Sequence, residues 1–237
     1  MVKYLNILLF AVMIVMNYLA NALPINGKTT GELSDMYPNL FVPAGITFSI
    51  WGVIYLLLLG YCIIQFTGSN QTAILSVSWL FAATCVFNSM WILAWHYQKL
   101  PLSLVIMIGL LVTLIMINMR LITLDHGLMK AAFGVYLGWI CIATIANVTA
   151  LLVNAGWDAL GLSEVTWTII MISAGTIIVL LSVLNFRNAF IGLAVIWAFT
   201  GIIIKRQADH REIVIAAAIG IIIVAIVTIL AFTRKTA

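Results

Sequence analysis

Residues 131–154 read AAFGVYLGWICIATIANVTALLVN, a stretch without one charged side chain. At about 1.5 Å of rise per residue it is long enough to cross the roughly 30 Å hydrocarbon core of a bilayer as a helix. A helix satisfies its own backbone polar groups where no water reaches them. Within the stretch Tyr136, Trp139, Ala143 and Asn147 recur at three or four residues, with Asn154 two turns further on. That spacing puts an aromatic and amide stripe on one helix face.

Working outward, the same signature repeats from end to end. The predicted spans are Tyr4–Ala22, Phe41–Phe66, Ala73–Tyr97, Leu102–Leu124, Ala131–Asn154, Val165–Leu184, Ala189–Ile204 and Ile213–Phe232. Hydrophobic residues make up 65% of the 237 and charged ones only 8%, against about a quarter charged in soluble domains. The fold class is therefore an all-α polytopic membrane bundle of about eight transmembrane helices. A β-barrel is excluded because the apolar runs are continuous and do not alternate. The connections of any substance are Pro24–Leu40, Gly156–Glu164 and Lys205–Glu212, and Pro101 opens a helix where its missing N–H is harmless.

The net charge of +4 comes from basic residues scattered over short loops, a pattern that fits lipid headgroups and not nucleic acid. Cys62, Cys85 and Cys141 fall in separate apolar runs without metal or disulfide spacing. Lys3 followed by an apolar run ending in Ala22 imitates a cleavable signal, but the run is too long for a signal core and carries Asn17, so it reads as the first span. Eight spans place both termini on one side. That side holds Lys3, Arg120, Lys130, Arg187, Arg234 and Lys235, against Lys28, Lys99, Lys205, Arg206 and Arg211, a nearly balanced tally. The orientation adopted has both termini cytoplasmic, in the cell membrane.

Polarity is concentrated in the first five spans. In the third, Thr84, Asn88, Trp91 and Trp95 share a face. In the second, Phe48, Trp51 or Gly52, and Tyr55 follow the Pro43-Ala44-Gly45 lead-in. An intramembrane amide faces a partner or a cavity. Periodicity leaves two readings open: the stripes wall an aromatic cavity for a flat, largely apolar ligand, or they are helix–helix seams.

Other chemistry finds no parts here. No intramembrane acid has a basic partner, as an ion-coupled transporter requires, and no hydrolase triad, phosphate loop or zinc motif occurs. Arg120 sits near a helix end, where it can snorkel. His96 ends the third span and reads as a hydrogen-bonded residue in preference to a haem ligand. Asn147-Val148-Thr149 matches a glycosylation sequon at a depth where nothing can glycosylate it.

Three motifs in order resemble the TspO/MBR family, the tryptophan-rich sensory proteins related to the mitochondrial translocator protein (peripheral benzodiazepine receptor). Phe41-Val42-Pro43 with Phe48-Ser49-Ile50-Trp51-Gly52-Val53-Ile54-Tyr55 resembles the family's lead-in to its second helix. Phe87-Asn88-Ser89-Met90-Trp91 resembles its L-N-x-x-W. Tyr136-Leu137-Gly138-Trp139, Ala143-Thr144, Asn147 and Asn154-Ala155-Gly156-Trp157 resemble its fifth helix. The resemblance covers residues 1–157 and leaves 158–237 unmatched, which divides the chain into a five-helix ligand-binding bundle and three additional helices. Departures are Ala44 or Gly45 for the second Pro of the lead-in, Val135 for a Pro, and no Tyr followed by Lys or Arg near Asn154, which weakens any case for sterol.

The resemblance implies a five-helix bundle around a pocket covered by the first loop, often dimeric, that binds porphyrins, haem, sterols or synthetic aromatic ligands. The expected ligand-binding residues are Trp51, Tyr55, Asn88, Trp91, Tyr136, Trp139, Ala143 and Asn147. The expected role is a membrane receptor or binding protein for a porphyrin or haem-like tetrapyrrole. No cofactor is obligatory, and the partners the resemblance implies are lipids, a hydrophobic small molecule and a second copy of the chain. Porphyrin breakdown enters by resemblance alone. Alternatives are a small-molecule or lipid permease, which would need an internal repeat with facing interrupted helices, and a structural assembly subunit.

Overall fold

The computed structural model describes residues 1–23, 25–67, 71–124 and 127–233. Pro24, which delimits the first loop, and Arg234 and Lys235 of the charge tally lie outside the described residues. The long helices are α1 (Val2–Ala22), α3 (Ile50–Thr67), α4 (Gln71–His96), α5 (Leu100–Leu121), α6 (Gly127–Asn154), α7 (Glu164–Phe186), α8 (Phe190–Arg206) and α9 (Arg211–Thr233), and a short α2 (Thr30–Asp35) lies in the first loop. Each predicted span falls on one long helix. Among the described residues, seven candidate spans meet the length and hydropathy of a membrane crossing. With 17 residues, α8 is the shortest long helix, about 25 Å at 1.5 Å per residue.

The central helix is α6. Every position from Ala131 to Ile142 is buried, because α5, α3 and α8 pack around it. α1 lies on α4 and α4 on α5, while α9 and α7 extend the bundle beyond α8. The α6–α8 approach is close for a local reason. Gly134 and Gly138 are one turn apart on α6, and a Cβ on Gly138 would sit 3.0 Å from the Ala194 Cβ and collide with the Ile191 carbonyl. Small residues four apart let membrane helices approach in this way. The junction is sealed by Asn188, whose Nδ2 donates to Asn118 Oδ1 at 2.9 Å and to the Lys130 carbonyl at 2.9 Å.

Two local departures matter for the site. The second span was expected from Phe41, but α3 begins at Ile50, after a 3₁₀ turn over Gly45–Ser49. Pro43 bars helix in the residue before it, Ala44 is extended (φ −60°, ψ 147°), and the Ala44 N–H goes to the Gly201 carbonyl of α8 at 3.0 Å. The first loop is ordered by a capping box. The Thr29 side chain accepts from the Glu32 N–H while Glu32 accepts from the Thr29 N–H at 2.7 Å. The Thr29 N–H and hydroxyl hold the Glu32 carboxyl below the usual glutamate range. Burial raises the Tyr37 phenol, whose ring lies edge-on to Trp95 at 6.0 Å.

Arg120, at the end of α5, donates to the Ser76 carbonyl of α4. His96 is fully buried, its Nδ1 2.8 Å from the Ile92 carbonyl and its Nε2 3.3 Å from the Ala20 carbonyl. Both ring nitrogens face backbone carbonyls, one of them across to α1, and the single N–H of a neutral imidazole donates to one of the two. Cys62, Cys85 and Cys141 are buried, unbridged thiols.

Candidate aromatic ligand site

The lead-in to α3, the stripe of α6 and the loop end of α4 converge beneath α2. They line two neighbouring, partly open hollows that share Thr30, Phe48, Trp51 and Trp91 and form the two lobes of one candidate cavity. The first lobe measures about 440 Å³ and lies among α1, α2, α3 and α4, with Ile14, Asn17, Asn21, Tyr55 and Ile92 completing its walls. Its volume falls in the range of ordinary small-molecule sites. Tyr18 and Gly45 line it and are exposed, forming its rim. The second lobe, about 60 Å³, reaches toward α6 and is walled by Trp95, Trp139, Ala143 and Asn147, with Ser34, Asn39 and Pro43 of the first loop above them.

The aromatic partition between the lobes is built from contacting rings. Trp51 stacks on Tyr55 at 5.6 Å and 24°, and stands edge-on to Trp139 at 6.3 Å. Phe48 meets Trp139 edge-on at 6.0 Å. Trp91 and Trp95, one turn apart on α4, stack at 5.7 Å and 19°. Such pairs hold one another's orientation by about 0.5–1.5 kcal/mol beyond area burial, which gives the cavity rigid flat walls.

Six of the eight expected residues line this cavity: Trp51, Tyr55, Trp91, Trp139, Ala143 and Asn147. The other two sit behind the wall. Asn88 and Tyr136 are fully buried, and the Asn88 amide donates to the Tyr136 hydroxyl at 3.0 Å while its oxygen accepts from Asn17 at 2.7 Å. This chain joins α1, α4 and α6 under the first lobe. Of Trp51 and Gly52, which spacing left open, Trp51 is the wall residue.

Five of the lining residues carry a hydrogen-bonding atom that is itself fully buried and has no partner among the described residues: Tyr55 Oη, Trp91 Nε1, Trp139 Nε1, Asn147 Nδ2 and Thr30 Oγ1. Each such group costs about 1–3 kcal/mol if left unsatisfied. Three of them are donors only, the two indoles and the amide nitrogen, and the hydroxyls can also donate. Among the described residues, no charged side chain lines either lobe. The site is thus chemically suited to a flat ring system bearing neutral or delocalised acceptors.

The first loop lies over the cavity as the resemblance implied, but the sequence singled out none of its lining residues Thr29–Gly31, nor Tyr18 and Asn21 of α1. The Asn17 and Asn21 pair, four apart near the end of α1, was the available signal.

The family profile described as TSPO-like protein matches residues 3–230. The chain belongs to this family. The match runs through α7, α8 and α9 as well as the first five spans, so the TSPO-like assignment covers the whole bundle. No curated protein and no solved structure matches the chain. As a TSPO-like protein it is an integral, multi-pass membrane protein of a binding and sensory family, in contact with lipid along its exposed apolar faces.

Proposed function

We propose that this TSPO-like protein is a receptor or binding protein for a flat aromatic ligand of the porphyrin class, held between Trp51, Trp91 and Trp139 under the first loop. The observation that carries this reading is the coincidence of partnerless buried donors with an aromatic cavity of ligand size. A ring system stacked on the indoles would use its π surface against the walls, while its peripheral acceptors take up Tyr55 Oη and Trp91 Nε1 in the first lobe and Trp139 Nε1 and Asn147 Nδ2 in the second. Asn88 and Tyr136 act from behind, fixing the helices that carry the wall. The ligand-contacting residues all belong to the unit 1–157, in the cell membrane with both termini cytoplasmic, and α7–α9 brace that unit.

The test is quenching of tryptophan fluorescence on titration with protoporphyrin in detergent, beside a planar hydrocarbon of similar area without acceptors. The reading expects saturable quenching by the porphyrin and binding at least tenfold weaker by the hydrocarbon. Equal affinity for both would remove the role given to the donors, and no saturable binding of either would remove the site.

A further inference from the structure

Among the described residues, the chain between α2 and α3 takes its hydrogen bonds to other long helices from one helix near the other end of the sequence. Arg206, at the end of α8, donates from Nε to the Leu40 carbonyl at 3.1 Å and from Nη2 to the Asn39 carbonyl at 3.0 Å. One turn earlier the Gly201 carbonyl accepts the Ala44 N–H at 3.0 Å. One turn before that, Trp197 Nε1 donates to the Thr47 carbonyl at 2.8 Å. Lys205 adds an exposed ion pair to Asp35 at 3.3 Å, a contact of small energetic value.

The held segment cannot satisfy itself at these points. The side chain of Asn39 closes a turn locally: its Nδ2 donates to the Tyr37 carbonyl at 2.8 Å, and its Oδ1 accepts the Phe41 and Val42 N–H groups at 3.1 and 3.2 Å. The carbonyls of residues 39 and 40 face outward from that turn, and Arg206 supplies both donors. Its fork spans two adjacent carbonyls, which a single ammonium does not do in the same geometry. Gly201 lets the segment lie directly against α8. A Cβ there would come within 2.9 Å of Thr47 Cβ and Cγ2.

The same segment makes the walls. Asn39, Val42 and Pro43 line the second lobe, Gly45 the first and Phe48 both. Fixing residues 39, 40, 44 and 47 therefore fixes where those walls stand. We propose that Trp197, Gly201 and Arg206 are positioning residues for the ligand site, and that α8 clamps the hinge between the loop over the cavity and α3. The proposal rests on the ligand-site reading above and deepens it: the retention of a bound ligand is set by a helix that never touches it.

The test uses the full chain in detergent with Arg206→Gln, Arg206→Lys and Trp197→Phe. Two readouts are followed: protoporphyrin dissociation, and chymotryptic cleavage within residues 37–41 of the ligand-free protein. Arg206→Gln should speed porphyrin dissociation about tenfold, the loss expected for removing a charge-assisted pair of hydrogen bonds. It should also raise cleavage, and any fall in ligand-free thermal unfolding should be accompanied by that rise. Arg206→Lys should fail to restore either readout, and Trp197→Phe should move both by a smaller factor. Unchanged dissociation and cleavage in both Arg206→Gln and Trp197→Phe would overturn the clamp. A fall in unfolding temperature without a change in cleavage would overturn it too, showing α8 to be only a buttress. If the parent takes up no porphyrin, the ligand reading fails, and the cleavage comparison still decides the clamp.

Discussion

Replacing Asn147 by Leu separates a ligand-facing amide from a helix-to-helix tie, because the structure gives the two roles opposite signs. Asn147 is 2% exposed, and its side chain makes one hydrogen bond among the described residues, its Oδ1 accepting from Ser103 Oγ at 3.2 Å. Ser103 also reaches the Leu100 carbonyl at 2.9 Å, so its hydroxyl keeps a partner in the variant. The interhelical bond lost is worth about 0.6 kcal/mol in a membrane bundle. The Asn147 Nδ2 has no partner, and removing a buried unsatisfied donor returns about 1–3 kcal/mol. Leu has similar bulk and adds no cavity. Ligand-free stability should therefore hold or rise by up to about 2 kcal/mol. Affinity for an acceptor-bearing ring should fall about tenfold, or about 1.4 kcal/mol. Thermal unfolding in detergent with and without protoporphyrin, paired with a quenching titration, measures both. A variant less stable by about 1 kcal/mol or more, with an unchanged ligand-induced shift, would refute the reasoning and make Asn147 a seam residue.

Trp139→Phe should weaken an aromatic ligand by about 0.5–1.5 kcal/mol through lost ring area and the lost indole N–H, with little change in unfolding. Because the lining is uncharged, protoporphyrin dimethyl ester should bind at least as tightly as the free diacid in the same titration, and a strong preference for the diacid would point to a cation at the site. Gly138→Ala drives a methyl into the Ile191 carbonyl and should destabilise the α6–α8 pair by about 1–3 kcal/mol, read by thermal unfolding. The Glu32 carboxyl is held below its ordinary value by Thr29, so its contribution to the α2 cap is complete above the unfolded-state value and is lost as pH falls through the folded one. Protease sensitivity of the first loop should rise as pH drops below about 4.5, and Thr29→Ala should flatten that dependence. Truncation after Gly156 should leave a fragment that inserts, yet one whose residues 37–47 are readily cleaved because α8 is gone.

Much of this was legible in the sequence because apolar length and helical period are local properties. Trp139, Ala143 and Asn147 were placed on one face by spacing alone, and that face does wall the cavity. The same spacing selected Asn88 and Tyr136, yet these turn toward each other across α4 and α6, since a period reports a face and not what lies opposite it. The start of α3 is not legible in the sequence, because hydropathy continues through Phe41–Ser49 while Pro43 and the bond from Ala44 to α8 keep that stretch out of the helix. The contribution of α8 was least visible. Its tie from Arg206 to Leu40 joins residues 166 apart, and a local signal, Gly134 and Gly138 four apart on α6, straddles the start of the Tyr136–Trp139 motif.

The central claim is that the cavity under the first loop holds a flat, acceptor-bearing ligand by its partnerless donors. A structure determined with protoporphyrin bound tests it most directly. The account predicts a ring between Trp51 and Trp91, with acceptor atoms within about 3.2 Å of Trp91 Nε1 and of at least one of Trp139 Nε1 and Asn147 Nδ2. Porphyrin seated on the outer, lipid-facing helix surfaces, with those three donors still unpaired, would contradict it.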